Sequence, residues 1–161
     1  MTPLIIILGP TGAGRADVVK ELVAHAWPEG RKVRVLREVR EGGVAPDAWE
    51  FKDGHAIVPA PGDEDAAILV THGALHVIDQ MEALHRTVRP MQPDAVWRVA
   101  RILTVVDCPL TMKHKAVEEW YRPCVHFSDA VIINRRWEVP GQWVSKFLEP
   151  YEKEFYPCLF F

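Results

Sequence analysis

Cysteine is scarce in this chain. Three among 161 residues, Cys108, Cys124 and Cys158, are odd in number and far apart. That pattern argues against a disulfide framework and for a reducing compartment, so a cytoplasmic location is expected. No paired C-x-x-C occurs, and with it goes the strong sequence form of a zinc site. No apolar run approaches the length of a membrane span, so no membrane partner is expected. The first such run, residues 4–8, is too short for a targeting peptide, and no basic segment precedes it. An excess of one charge is also missing. The net charge of -3 gives no electrostatic case for a nucleic-acid partner. Low-complexity tracts and repeats are absent. What remains is an ordinary globular composition, 48% hydrophobic and 25% charged. The length suits one domain over residues 1–161 with a single core.

Against this plain background one stretch stands out, residues 4–17, LIIILGPTGAGRAD. An apolar run stops at Gly9, four residues lead to Gly14, and Arg15 and Ala16 follow. The spacing is that of the phosphate loop, G-x-x-x-x-G-K-[ST]. The last two positions depart from it, with Arg15 at the lysine and Ala16 at the hydroxyl residue. Val18, Val19, Leu22, Val23 and Ala26 then recur at helical spacing until Pro28 and Gly30. Strand, glycine loop and helix therefore follow one another directly.

The rest of the chain alternates in the same way. Val33, Val35, Arg37 and Val39 alternate in a second strand, and residues 41–47 are rich in turn formers. Residues 49–58 read as a hairpin turning at Asp53-Gly54. Residues 66–71 form a buried strand, and 75–88 a helix ended by Pro90 and Pro93. Residues 95–100 begin a helix or extend the strand at 101–106, which carries Asp107 at its carboxyl end. A helix is expected over 111–121 with Pro123 as its breaker, a strand over 130–133, a helix over 141–151 and a strand start at 158–161. Alternation of this kind predicts a three-layer α/β fold, a mostly parallel sheet with helices on both faces. Ligands of such sheets bind beyond the carboxyl ends of the strands. Gly9, Thr71 to Gly73, Asp107 and Asn134 lie there.

In this order the motifs resemble the CobW-type GTPases, metal-trafficking proteins among the P-loop GTPases. Their pattern runs GxxGxGKT, ETTG, VVD, then ADxxxxNKxD for guanine. The corresponding stretches here are GPTGAGRA, Val70-Thr71-His72-Gly73, Val105-Val106-Asp107 and residues 128–137. The resemblance spans nearly the whole chain and implies a P-loop NTPase fold that binds GTP or ATP. It implies phosphate binding by Gly9, Pro10, Thr11, Gly12, Ala13, Gly14, Arg15 and Ala16, with Asn134 and Arg135 bordering the base. Arg15 and Asp107 are the candidate catalytic residues. The departures are systematic. Ala16 lacks the magnesium-holding hydroxyl, and Val70 stands at the magnesium-site glutamate. Trp137 replaces the guanine-binding Asp, and His55, Ala56, Ile57 and Val58 follow Gly54 in place of the metal motif. The family's carboxyl-terminal domain is not expected.

Each feature also has a plainer reading. The loop is otherwise a tight strand-to-helix turn, and Asp107 a loop cap. Asp17 favours the helix dipole but sets a negative charge near the phosphates. His72 with His76, Cys124 with His126, and Cys108 with His114 are weak ligand pairs, so no metal site is assigned. Arg86, Arg89, Arg98 and Arg101 read as solvated surface. The expected function is a GTPase-like nucleotide-binding protein with weak or lost hydrolysis and no firm magnesium site. The alternatives are a nucleotide-free module that binds a protein partner or its own copy, and a P-loop kinase on a small molecule, against which Ala16 counts.

Overall fold

Everything in the sheet is placed relative to β1 (Thr2–Leu8), which lies inside it with parallel neighbours on both sides. The computed structural model describes residues 1–39, 47–88, 95–154 and 158–161. After β1 come α1 (Arg15–His25), β2 (Val33–Glu38), β3 (Ala48–Lys52), β4 (His55–Ile57), β5 (Ala66–Val70) and α2 (Val77–Thr87). Then follow β6 (Trp97–Asp107), α3 (Cys108–Lys113), α4 (Lys115–Phe127) and β7 (Ala130–Asn134). A one-turn 3₁₀ helix (Arg136–Glu138), α5 (Gly141–Glu154) and β8 (Leu159–Phe160) complete the described chain.

The strand order is β4-β3-β2-β5-β1-β6-β7-β8, and only the β3–β4 pair is antiparallel. Leu4 to Ile7 face Ala67 to Val70 of β5 in register, and β6 covers the other edge of β1 with one shift beside Leu4 and Ile5. Strand alternation sends Leu4, Ile6 and Leu8 into a large core with Leu84, Tyr121 and Phe147. Ile7 points the other way and packs with Ile68, Val70 and Val105 beneath Val19 of α1. Both faces of β1 are thus dry, which is why its sequence is apolar without interruption. Each such buried aliphatic side chain contributes about 1.5–3 kcal/mol. The result is a three-layer α/β fold. Among the described residues no helix is long and apolar enough to cross a membrane.

Chain direction creates the crevice. The chain leaves β1 towards β2 on one side, and later returns to β6 on the other. The strand order reverses at the carboxyl end of β1, where open α/β sheets place ligands.

Several expectations are met closely. The Asp53-Gly54 turn has φ of 50° and 73°, both positive, as a two-residue hairpin turn of this twist demands. Residues 97–100 extend the next strand, and 95–96 lead into it. One expectation is corrected. In place of a single helix over 111–121, α3 ends at Lys113, His114 is extended at φ -131° and ψ 101°, and α4 runs on through Pro123 to Phe127. Proline removes one helical hydrogen bond, but Tyr121, Cys124 and Val125 bury one stripe of α4, and packing outweighs the local preference. The turn-rich residues 40–46, together with Arg89, Pro90 and Pro93, lie outside the described residues.

Candidate functional site

The loop after β1 is built by glycine where no other residue fits. Gly9 has φ 148°, and a Cβ there would stand 2.9 Å from the Val105 carbonyl oxygen. Gly14, at φ 78°, is the residue before α1. A Cβ on it would meet Asn134 Nδ2 at 2.4 Å. The loop consumes some of its own donors. Thr11 N–H donates to Gly73 O at 3.0 Å, Ala13 N–H to Pro10 O at 3.2 Å, and Asp17 and Val18 N–H to Gly14 O. The N–H groups of Gly12, Gly14, Arg15 and Ala16 have no acceptor among the described residues. They gather at the amino end of α1, where the helix dipole is positive.

Arg15 folds back over this loop. Its Cδ and Cγ lie where a Gly9 side chain would need to be. Its Nη1 donates to the Thr71 carbonyl at the end of β5. No carboxylate among the described residues pairs with it. Burial pushes the guanidinium below its ordinary value, and Glu38 leads the opposing pulls. A partly buried cation without a paired anion is a costly arrangement. Loop and cation open onto one cleft of about 820 Å³, whose far wall is Val35, Arg37, Glu38 and Asp47.

Asn134, Arg135 and Asp107 occupy the neighbouring strand ends. Asn134 Nδ2 donates to the Ala13 carbonyl at 3.3 Å and so braces the loop from β7. Asp107 is 1% exposed and turns away from the loop. Arg135 grips both its oxygens, Nε to Oδ2 and Nη2 to Oδ1 at 2.7 Å each. Oδ1 also accepts the Leu110 N–H at 2.9 Å, capping α3. Arg135 holds this pose from a left-handed backbone, φ 53°. Neither Asp107 nor Arg135 lines the cleft.

Two solved structures share this architecture. One is the Zn(II)-bound YjiA GTPase from E. coli, with a TM-score of 0.59 and 13% identity over 99% of this chain. The other is the hydrogenase maturation factor HypB from Archaeoglobus fulgidus, with 0.54 and 14% over 99% of this chain. The fold is shared with these two proteins. The chain spans 57% of the YjiA chain and 80% of the HypB chain. No family model and no curated protein matches the sequence.

At the loop after β1, the residues present fit phosphates but not magnesium. Four open N–H groups and the Arg15 guanidinium face the cleft from the loop, with Arg37, Glu38 and Asp47 across it. Ala16 offers a methyl group, Val70 is a buried apolar residue at the end of β5, and the Asp107 carboxylate is held by Arg135. Among the described residues no three His, Cys, Asp or Glu side chains group where a metal ion could sit. Of the weak pairs, His72 and His76 both precede α2, His76 as the extended residue at its amino end, and Cys124 is buried in α4 while His126 is exposed. Arg86 and Arg101 bond to main-chain carbonyls, of Gly54 and Ala100.

Two residues that organise the site escape sequence reading. Gln80, 0% exposed, accepts from His72 N–H at 2.8 Å and donates to His72 O at 3.0 Å. It thereby fixes the loop after β5. Trp49 Nε1 donates to Val70 O at 2.8 Å. The only signal for Gln80 is a polar residue at a core position of α2, between Val77 and Leu84.

Proposed function

We propose that this chain binds the phosphates of a nucleotide at residues 9–16, as a GTPase-like P-loop protein with weak or lost hydrolysis. The observation that carries the reading is the convergence on one cleft of four unpaired N–H groups and a guanidinium without a carboxylate partner. An anionic ligand would satisfy all of them at once. Arg15 lends charge to the bound phosphates, and Asn134 borders the base while holding the loop. Catalysis is weak on this reading because magnesium, which neutralises the transferring phosphoryl group, has no fitting ligands.

The test is thermal unfolding with GDP, GTP, ADP and ATP, each with and without magnesium. A ligand at about a hundred times its dissociation constant stabilises the fold by roughly 2.7 kcal/mol, a shift of several degrees. The shift should depend little on magnesium. Gly12→Val should abolish it, since a Cβ there meets nothing within 4 Å and the side chain would project into the approach path. Strain at φ 86° lowers the free variant's own midpoint, so the ligand-induced difference is the readout. No shift from any of the four at millimolar concentration refutes nucleotide binding. A protein-contact role would then be favoured, with Trp137, 77% exposed, and the exposed Met112 as its natural surface.

A further inference from the structure

We infer that Arg15 and the Thr11–Gly73 contact make this site selective for a diphosphate over a triphosphate. The inference rests on the phosphate-binding reading above and deepens it. In a P-loop the main-chain N–H groups cradle the inner phosphates, and the cation of the motif reaches the outer ones. The inner cradle is open here, as the free N–H groups of Gly12, Gly14, Arg15 and Ala16 attest. The outer end is closed. Thr11 N–H is spent on Gly73 O at 3.0 Å, and Arg15 Nη1 on the Thr71 carbonyl. A Cβ on Gly73 would stand 2.4 Å from Thr11 N, 2.4 Å from Arg15 Nη2 and 2.8 Å from Thr11 Oγ1. A gap that cannot take a methyl group cannot take a phosphoryl group with its oxygens.

The closing segment is also anchored from behind. Thr71 donates through both N–H and Oγ1 to Ile7 O, at 3.1 Å each. Gln80 bonds both the N–H and the carbonyl of His72. A third phosphate would have to break the Arg15–Thr71 and Thr11–Gly73 bonds and displace a segment that Gln80 holds. Two phosphates need none of this. They leave the guanidinium at the rim of the cradle, positioned to receive the terminal oxygens of a diphosphate.

Titration calorimetry on the purified chain tests the inference with GDP, GTP, ADP, ATP, inorganic pyrophosphate and tripolyphosphate. Each diphosphate should bind at least tenfold more tightly than the triphosphate of the same base, and pyrophosphate more tightly than tripolyphosphate. Arg15→Ala should weaken the diphosphate and narrow the ratio to less than about threefold. Gln80→Leu, checked for folding by circular dichroism, should narrow the ratio from the triphosphate side, with diphosphate affinity kept. Triphosphates binding as tightly as diphosphates to the unaltered chain overturn the inference and leave the nucleotide reading standing. An unchanged ratio in Arg15→Ala removes Arg15 from the selectivity. No heat from any of the six compounds overturns the nucleotide reading itself.

Discussion

Asp107 is a carboxylate taken almost wholly out of water, and Arg135 is what makes that tolerable. Two charged hydrogen bonds of 2.7 Å and one from Leu110 N–H satisfy its oxygens. The Arg135 side chain is 41% exposed, so solvent weakens the link, and its loss should cost less than that of a fully buried pair. Arg135→Ala should lower the midpoint of denaturant unfolding, by less than the loss of a fully buried partner would. Arg135→Ala combined with Asp107→Asn should cost less than the sum of the two single changes, because the stranded charge is then gone. An unchanged midpoint in the single variant would show that the pair does little. Sequence alone places Asp107 at a strand end, next to the carboxyl mouth of the sheet. The identity of its partner was not legible, because Arg135 is 28 positions away and reaches back from a left-handed backbone. The same limit hid the contact of Arg15 with Thr71, 56 positions away.

At the scale of elements, legibility followed local chemistry. The strand–glycine–helix unit and the Asp-Gly hairpin carry their signals within a few residues, and both are found. The division of the segment after Asp107 was not legible, because Pro123 looks like a terminus to any local rule. In the structure it sits inside α4 and leaves one helical hydrogen bond unmade. Pro123→Ala should therefore stabilise the protein, by about 1–3 kcal/mol, with α4 unchanged. A destabilised variant would mean that the proline ring's packing is worth more than the missing bond. The same two helices set the response to alkali. Burial, reinforced by Asp107, pushes the Cys108 thiol from an ordinary 9.0 up to about 11, and burial raises Cys124 and Tyr121 in the same direction. Between about pH 9 and 11 the unfolded chain has released the Cys108 proton while the folded chain still holds it. The unfolded state binds fewer protons there, so stability falls as pH rises through that window. Denaturant midpoints measured from pH 8 upward should decline across it, and less steeply in Cys108→Ala. A flat profile would contradict the burial of these groups.

For the molecule as a whole, the proposed weak hydrolysis is a matter of charges that must meet at one point. Phosphate release from GTP or ATP, with magnesium present, should stay near the no-enzyme background. Robust magnesium-dependent turnover, lost in Arg15→Ala, would refute this. The order of the strands has a different consequence, in time. β1 can pair only with β5 and β6, and roughly 60 residues separate it from the first of them. A ribosome adding roughly 5–20 residues each second leaves that strand without a partner for about 3–12 s. During this interval the LIIIL segment is an unpaired, β-prone edge of the kind that recruits other chains. The β3–β4 hairpin, closed by its own tight turn, forms within microseconds of its synthesis. The centre of the sheet is thus the first strand made, and it waits while the β3–β4 hairpin closes before it. Yield in a cell should depend on what shields those few residues while they wait.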